Sequence, residues 1–125
     1  MSLQFQIDAA SGVPFYRQII DQVLAGMATG ALTAGDRLPT VRALAVELAV
    51  NPNTVARAYK ELEIRGVVTT QQGTGTFVSA QEISPDEVER RRRLDQLVDA
   101  FLARVAAEGY SLAHIQQALR EREES

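Results

Sequence analysis

The sequence predicts a mainly α-helical protein with one small β-hairpin, and three observations lead to this fold class. Apolar residues recur with helical periodicity in three stretches before residue 66. Two short segments rich in β-branched residues follow, separated by a turn that contains two glycines. Two further amphipathic stretches occupy the sequence after residue 84. The 125-residue chain is therefore predicted to form one domain at 10–80 and a two-helix C-terminal tail at 84–123.

The first helix is predicted to begin at Pro14 and to end at Gly30. Proline is favoured at the first position of a helix, and glycine is favoured just after its last residue. Before this helix, apolar and polar residues alternate over positions 3–7, which is typical of a short strand or an extended arm. The apolar face of the helix is predicted to enter the core, and it comprises Phe15, Tyr16, Ile19, Ile20, Val23, Leu24 and Met27.

Two closely connected helices are predicted between residues 40 and 66. Thr40 is the expected N-cap of the first and Asn51 that of the second, because both side chains can accept a hydrogen bond from a free backbone N–H. Pro52 would take the first position of the second helix, and Gly66 would end it. The tight connection is typical of a helix-turn-helix. The expected core residues are Val41, Leu44, Ala45, Leu48, Val55, Ala58, Tyr59 and Leu62.

A β-hairpin is predicted directly after these helices. Val67–Thr70 and Thr76–Ser79 have the β-branched composition of strands, and Gly73 and Gly75 lie in the turn between them. A helix-turn-helix followed by a hairpin has the layout of a winged helix, in which the hairpin is the wing. The fold expected of residues 10–80 is therefore a winged helix-turn-helix domain.

The tail at 84–123 is predicted to form two amphipathic helices that dimerise. Ser84, Pro85 and Glu87 have the spacing of an N-cap, a first-turn proline and a capping-box glutamate, and Gly109 and Ser111 separate the two helices. Two such helices must pack on the N-terminal domain or on another subunit. The apolar stripe is better suited to pairing two subunits, and its residues are Leu94, Leu97, Val98, Phe101, Leu102, Val105, Leu112 and Ile115.

The composition argues against an enzyme, a metal site, a cofactor and a membrane protein. The chain has no cysteine, which excludes disulfides and thiolate chemistry and indicates a reducing, cytoplasmic compartment. Its one histidine, His114, is expected to be a packed or interface residue, and no Walker loop or Rossmann glycine pattern is present. The N-terminus lacks the pattern of a signal peptide, and no stretch approaches the ~18 apolar residues of a membrane helix.

The net charge of −3 belongs to the tail rather than to the whole chain. Residues 1–80 carry six basic and six acidic groups, whereas residues 81–125 carry seven arginines and ten acidic residues. Within 37–60, four basic groups accompany a single acidic residue. The acidic average therefore does not exclude a nucleic-acid partner for the N-terminal domain. The run Arg90–Arg93 is expected to pair along its own helix rather than to contact phosphates, because Asp86, Glu87 and Glu89 precede Arg90, Arg91 and Arg93 by four residues.

Polar residues on the second helix of the helix-turn-helix form a candidate DNA-contacting face. Asn53, Arg57 and Lys60 lie on one side of that helix, and Thr54 flanks them near its N-terminus. Asparagine pairs well with adenine and arginine with guanine, each through two hydrogen bonds. An ordinary solvated helix face has the same residue types, and that interpretation stays open on this pattern alone.

Two further features add to the candidate site. The hairpin turn contains Gln72, Gly73 and Thr74, whose backbone N–H groups can approach a phosphate or the minor groove closely. Arg42 lies near the start of the first helix of the helix-turn-helix, from where its guanidinium can contact a phosphate or a base. The candidate DNA-binding residues thus come from two helices and the wing.

The segment GDRLPTVRALAVELAVNPNTVARAYKELEIRGVVTTQQGTGTFV, with PFYRQIIDQV before it, resembles the winged-helix domain of GntR-family bacterial transcription regulators. The resemblance covers about residues 12–78, and the short chain with its two-helix tail is similar to the YtrA-type subfamily. Pro52 and Ala56 stand where many members have arginine. The resemblance implies DNA contacts from Arg42, Asn51, Asn53, Thr54 and Gly73.

A DNA-binding transcription regulator is the function that these features predict. Together with the resemblance, they imply a homodimer that represses by occupying a pseudo-palindromic operator in double-stranded DNA, with a transport operon as the expected target. A small-molecule effector and the absence of any effector are both left open. The alternative is a winged helix that docks to proteins, which would lack the salt-dependent DNA affinity that phosphate contacts produce.

Overall fold

The structure, a computed structural model, describes residues 3–80 and 87–124. The predicted fold class, mainly helical with one hairpin, is confirmed. The chain divides into two compact units, Met1–Gln81 and Glu82–Ser125. The elements in chain order are α1 (Phe15–Thr29), α2 (Val41–Leu48), α3 (Pro52–Ile64), β1 (Val68–Gln71), β2 (Gly75–Val78), α4 (Glu87–Ala107) and α5 (Leu112–Glu124).

The N-terminal arm, residues 3–8, is extended and is held against α1 by side chains rather than by another strand. Gln22 donates from Nε2 to the backbone oxygen of Gln6 at 2.6 Å, and its Oε1 accepts the N–H of Gln6 at 2.9 Å. Gln18 pairs in the same way with the backbone N–H and oxygen of Asp8, at 2.8 and 3.0 Å. Phe5 is thereby buried in the core. Of the two predicted conformations, the extended arm is the one that forms.

The two ends of α1 differ in how well they were predicted. Gly30 adopts a left-handed φ of 86° and ends the helix as expected. Pro14 has an extended ψ of 143° and serves as the N-cap, so its predicted place at the first helical position is wrong. Phe15 was predicted to be a core residue and is instead exposed, because in the first turn only Tyr16 packs against the core and the fully buried residues begin at Ile19.

Both predicted N-caps of the helix-turn-helix are confirmed. Thr40 Oγ1 accepts the backbone N–H of Ala43 at 3.0 Å at the start of α2. Asn51 Oδ1 accepts the N–H of Asn53 at 2.8 Å, and Pro52 occupies the first position of α3. These caps satisfy N–H groups that would otherwise lack a partner within the helix. The two helix starts are therefore defined by short-range sequence signals.

The turn between α2 and α3 depends on a left-handed residue that is not glycine. Ala49 has a φ of 55°, and it is the one non-glycine residue with positive φ in the described ranges. Its N–H donates to Val46 O at 3.2 Å, and the next N–H, of Val50, donates to Ala45 O at 3.0 Å, which is the Schellman arrangement. α3 ends with the same two hydrogen bonds around Gly66, whose φ is 76°.

Replacing Ala49 with glycine is expected to stabilise the protein by about 0.5–1 kcal/mol. The left-handed conformation costs an L-residue about 1–2 kcal/mol, and the greater freedom of glycine in the unfolded chain offsets part of the gain. Urea unfolding followed by circular dichroism measures the change. Ala43→Gly, on the exposed part of α2, is the matched control and should destabilise by a similar amount. A loss of stability in both variants would contradict the strain at Ala49.

The wing is a two-stranded antiparallel hairpin that a third segment extends. β1 and β2 pair in a register that places Gln71 opposite Gly75 beside the turn. Each strand lies one residue away from its predicted position. The segment 35–38 runs along the free edge of β2 and donates N–H groups to Val78 O at 2.8 Å and Thr76 O at 2.9 Å. The loop before α2 therefore ties the wing to the helices.

One apolar cluster holds the first unit together. It combines the arm, all three helices, the loop before α2 and both strands. Most of the predicted core residues of α1, α2 and α3 are buried or half-buried, whereas Leu32, Leu38 and the strand valines join them without having been predicted. The buried members are Phe5, Ile19, Ile20, Val23, Leu32, Leu38, Leu44, Ala45, Val55, Ala58, Tyr59, Leu62, Val68 and Val78.

The second unit consists of α4 and α5. Gly109, with a φ of 92°, ends α4 as predicted. Ser111 caps α5 together with His114, because the N–H of Ser111 donates to His114 Nδ1 at 2.9 Å and Ser111 Oγ accepts the N–H of His114 at 3.5 Å. His114 is exposed and helps to cap α5, so it does not lie in a packed core, and its predicted alternative place at an interface stays a prediction. The predicted cap of α4 at Ser84 and Pro85 lies outside the described residues.

The apolar stripe of the second unit is largely solvent-exposed. Phe101 remains 51% exposed and Leu112 57% exposed, which is high for side chains of this size. Among the described residues, neither these helices nor the others could cross a membrane. The predicted stripe residues fall into an exposed group, namely Leu94, Leu97, Val98, Phe101 and Leu112, and a half-buried group, namely Leu102, Val105 and Ile115.

Candidate nucleic-acid interface

The N-terminal half of α3 presents polar side chains from a rigid support. Asn53 and Arg57 are exposed and Thr54 is half-buried, whereas Val55 and Tyr59 on the other side of the helix are buried. The predicted division of α3 into a core face and a polar face is therefore confirmed. Because one face is locked into the core, the polar residues keep a fixed orientation relative to the rest of the unit.

The first turn of α3 is suited to an anion as well as to base edges. The carbonyl oxygen of the Asn51 side chain is occupied by the cap, which leaves its amide N–H groups available. The positive end of the helix dipole lies beside Asn53 and Thr54. A phosphate approaching this end of α3 would meet both favourable charge and hydrogen-bond donors.

Arg57 is stacked on an aromatic ring of a different helix. Its Cζ lies 3.8 Å from the centroid of the Tyr16 ring, at the start of α1. The sequence predicted Arg57 on the polar face but assigned Tyr16 only to the core. No local pattern indicates this contact, because 41 positions separate the two residues along the chain. The Arg57 guanidinium is thus in contact with the face of an aromatic ring.

A shallow depression of about 400 Å³ lies at the junction of α1 and α3. It brings the exposed Phe15 and the Tyr16–Arg57 stack next to the predicted contact residues of the first turn of α3. Aromatic side chains therefore border the candidate interface, which the sequence did not indicate. The lining residues are Phe15, Tyr16, Asn51, Asn53, Thr54 and Arg57.

Lys60 is the last predicted contact on α3, and it is paired with an acid. Its Nζ lies 3.5 Å from Oε1 of Glu63, and the lysine side chain is 70% exposed. A hydrogen bond from the Thr70 hydroxyl, followed by the charge of Lys60, lowers the pKa of Glu63. Exposed ion pairs of this kind are weak, so a phosphate can compete for the ammonium group.

Arg42 lies on α2, one residue after its first. It is exposed and makes no hydrogen bond or ion pair with any part of the chain that the structure describes. The start of α2 is fixed by the Thr40 cap and by the Tyr59 hydroxyl, which donates to Pro39 O at 2.7 Å. Burial, with a smaller contribution from Glu47, raises the pKa of Tyr59, so this donor keeps its proton. Within the described residues, Arg42 is thus an unpaired cation on a helix whose start is fixed.

The wing turn is exposed and is braced by an arginine. Gln72, Gly73 and Thr74 connect the strands, and Gly73 takes a φ of 81°. Arg37 packs against the wing so closely that a Cβ at Gly75 would lie 2.9 Å from Arg37 Nε. Arg37 is one of the four basic residues within 37–60, and the sequence predicted no contact for it. Its position two residues before a proline carries no signal for this contact.

The arginine run of α4 is engaged along its own helix. Arg92 pairs with Glu89 at 3.1 Å, and Arg91 pairs with Asp95 at 3.2 Å. The prediction that the run pairs along its own helix is confirmed for these two residues, but neither pair is one of the predicted pairs. Arg91 takes an acid four residues later on the helix, rather than one four residues earlier.

Comparison with known proteins places the first unit in a family. The model described as "Bacterial regulatory proteins, gntR family" matches residues 15–78. The transcriptional repressor YtrA of Bacillus subtilis is 49% identical over 74 residues, which are 59% of this chain and 57% of that protein. The chain therefore covers less than two thirds of the length of this relative.

Comparison with solved structures shows that the similarity includes the fold. YtrA from Sulfolobus acidocaldarius, described as a GntR-family transcription factor, matches with a TM-score of 0.57 at 33% identity over 82% of this chain and 99% of that one. AraR(DBD) in complex with operator ORE1 matches with a TM-score of 0.52 at 25% identity over 61% of this chain and 93% of that one. The winged helix, the YtrA-like relatives and the family match agree, and the chain belongs to the gntR family of bacterial regulatory proteins.

Proposed function

We propose that this protein is a sequence-specific, DNA-binding transcription regulator that acts in the cytoplasm as a homodimeric repressor. The observation that carries the proposal is α3, which presents Asn53, Thr54 and Arg57 outward while its other face is buried. Recognition helices contact bases through residues near their N-terminus, and these three residues lie there. The complex of AraR with an operator supports the same use of the fold.

The proposed contacts divide into two kinds. Asn53, Thr54 and Arg57 would contact base edges in the major groove, where asparagine favours adenine and arginine favours guanine. The other predicted residues would position the domain on the sugar-phosphate backbone or in the minor groove, which adds affinity but little sequence information. They are Arg42, Asn51, Lys60, Gln72, Gly73 and Thr74.

The proposed dimer is formed by the tail helices of two copies. In one protomer, Leu97 and Phe101 are about half exposed, and complete burial of such a side chain contributes about 1.5–3 kcal/mol. A two-fold symmetric pair would cover the stripe of each copy with that of the other. It would also place two α3 helices on half-sites about one DNA turn apart, which is why the operator is proposed to be pseudo-palindromic.

The proposed target is an operon that encodes a transporter, which rests on the similarity to the YtrA type alone. No effector is included in the proposal. Selection from randomised double-stranded DNA with the full chain tests it, combined with a salt titration of the selected site. Recovery of a two-fold symmetric consensus with strongly salt-dependent affinity is expected. No enrichment, together with salt-independent binding, would favour the protein-docking alternative.

Asn53→Ala is expected to weaken binding to the selected operator by about 1–3 kcal/mol and to relax the preference at one base pair of each half-site. Fluorescence anisotropy on the selected site and on single-base variants measures both effects. Arg65→Ala is the matched control, because Arg65 lies past the end of α3 and already pairs with Glu61 at 3.4 Å. An unchanged base preference in Asn53→Ala would remove Asn53 from the base-contacting set.

A further inference from the structure

We infer that Tyr16 is a positioning residue for DNA recognition, because its ring holds the Arg57 guanidinium in the orientation used to contact the operator. The inference rests on the proposed function and deepens it. The ring centroid lies 3.8 Å from Arg57 Cζ, which is within the range of a cation–π contact. Tyr16 itself comes from α1, outside the helix-turn-helix.

The stack is the only polar or electrostatic contact that Arg57 makes with the described parts of the chain. Arg57 has no ion pair and no hydrogen bond there, and its side chain is exposed. An exposed arginine without such a contact samples many rotamers, and binding must then immobilise it. The ring therefore acts before DNA arrives, by reducing the number of conformations that Arg57 has to give up.

The geometry of stacking leaves the arginine free to bind. A guanidinium carries its five N–H donors at the edge of a plane, whereas the aromatic ring covers only a face of that plane. Arg57 can therefore keep the stack while its edge donates two hydrogen bonds to a guanine or a phosphate. Because the ring contacts the face of the guanidinium and DNA would contact its edge, Tyr16 and DNA do not compete for the same N–H donors.

The Tyr16 ring is anchored by contacts with the apolar core of the first unit. Tyr16 is half-buried and packs against the core, one turn before the fully buried Ile19 and Ile20. Arg57 projects from the face of α3 opposite the buried residues Val55 and Tyr59. Both partners of the stack thus depend on the same apolar cluster. The orientation of Arg57 is consequently set by the packing of α1 on α3.

The inference also explains how few cations α3 uses. Between Pro52 and Ile64 the helix has only two, Arg57 and Lys60, and Lys60 is paired with Glu63. Ala56 occupies a neighbouring exposed position without charge. With Arg57 as the one unpaired cation on the described part of α3, fixing its direction reduces the conformational entropy that binding costs without adding charge.

The test compares Tyr16→Phe, Tyr16→Leu, Arg57→Ala and the double variant Tyr16→Leu/Arg57→Ala, all in the full chain. The probes are the operator selected by the natural protein and a scrambled duplex of equal length. Tyr16→Phe keeps the ring and should bind the operator within about twofold of the natural protein. Tyr16→Leu should bind it roughly three- to tenfold more weakly, with little change on the scrambled duplex.

The double variant separates positioning from a structural role. If Tyr16 acts through Arg57, then Tyr16→Leu should cause no further loss once Arg57 is alanine. The inference would be overturned if Tyr16→Leu weakened operator binding equally in the presence and in the absence of Arg57. It would also be overturned if Tyr16→Leu lowered the free energy of unfolding by as much as it weakened the free energy of operator binding. A defect in Tyr16→Phe as large as that of Tyr16→Leu would also overturn it, because the hydroxyl would then be the contact.

A measurement on the protein without DNA tests the Tyr16–Arg57 stack independently of the proposed function. Ring current from Tyr16 should shift the Arg57 side-chain protons upfield in NMR spectra, and the shift should disappear in Tyr16→Leu. If the natural protein selects an operator but Tyr16→Leu binds it normally, the positioning role alone is wrong. If the natural protein binds no DNA, both the proposed function and the positioning role are wrong.

Discussion

Replacing Leu97 and Phe101 together with glutamate is expected to yield a monomer that binds the operator about 100-fold or more weakly. Both side chains are half exposed in the protomer and lie on one stripe of α4. In the proposed dimer they are buried against a second copy, where unpaired carboxylates are strongly unfavourable. A monomer engages one half-site instead of two, and the loss of linked binding is worth about 10²–10⁴ in affinity.

Light scattering gives the mass of each variant, and fluorescence anisotropy gives its affinity for the operator and for an isolated half-site. The matched control is Gln96→Glu/Ala103→Glu, which adds the same charge to the opposite side of α4. That control should remain dimeric with nearly unchanged affinity. A dimer with full operator affinity in Leu97→Glu/Phe101→Glu would show that the stripe is not the interface.

The parts of the fold that sequence predicted well are those controlled by neighbouring residues. Thr40 and Asn51 cap their helices through an N–H only two or three residues away, and Gly30, Gly66 and Gly109 end helices because of their own backbone freedom. Each of these signals involves residues that are only a few positions apart in the sequence. They are therefore visible in the sequence without knowledge of the packing.

Predictions failed or stayed open where distant residues decide the conformation. The alternation at positions 3–7 fits a strand equally well, but the partners of the arm are Gln18 and Gln22 on a helix, so no strand forms. Phe15 continues the apolar period of α1, yet in the first turn only Tyr16 packs against the core. Ala49 has no sequence signature of a left-handed residue, since glycine would be expected there.

The candidate site shows the same division. Helical periodicity was sufficient to place Asn53, Arg57 and Lys60 on the exposed face of α3, and hairpin composition was sufficient to place the wing turn. The supports of these residues were not predictable, because the Tyr16 ring under Arg57 and the Arg37 side chain against Gly75 come from remote segments. Sequence thus predicted the candidate contact residues, whereas the structure shows which remote side chains lie against Arg57 and the wing turn.

Leu62→Ala is expected to lower the free energy of unfolding by about 2–5 kcal/mol, a large share of the stability of a small domain. Leu62 is fully buried in the cluster that α3 shares with α1 and α2, and its backbone oxygen accepts the N–H of Val67 at 2.9 Å where α3 ends. Truncation leaves a cavity beneath the helix that carries the proposed DNA contacts. Urea unfolding followed by circular dichroism measures the loss.

Ile64→Ala is the matched control, because Ile64 belongs to the same helix but is 74% exposed. Its free energy of unfolding should change by no more than about 0.5 kcal/mol. Leu62 does not reach the exposed face, so the Leu62→Ala protein that remains folded at low temperature should select the same operator as the natural protein. Equal losses in the two variants would mean that α3 is not anchored through its buried face. A changed base preference in Leu62→Ala would mean that the cavity has rotated α3, and with it Asn53 and Arg57.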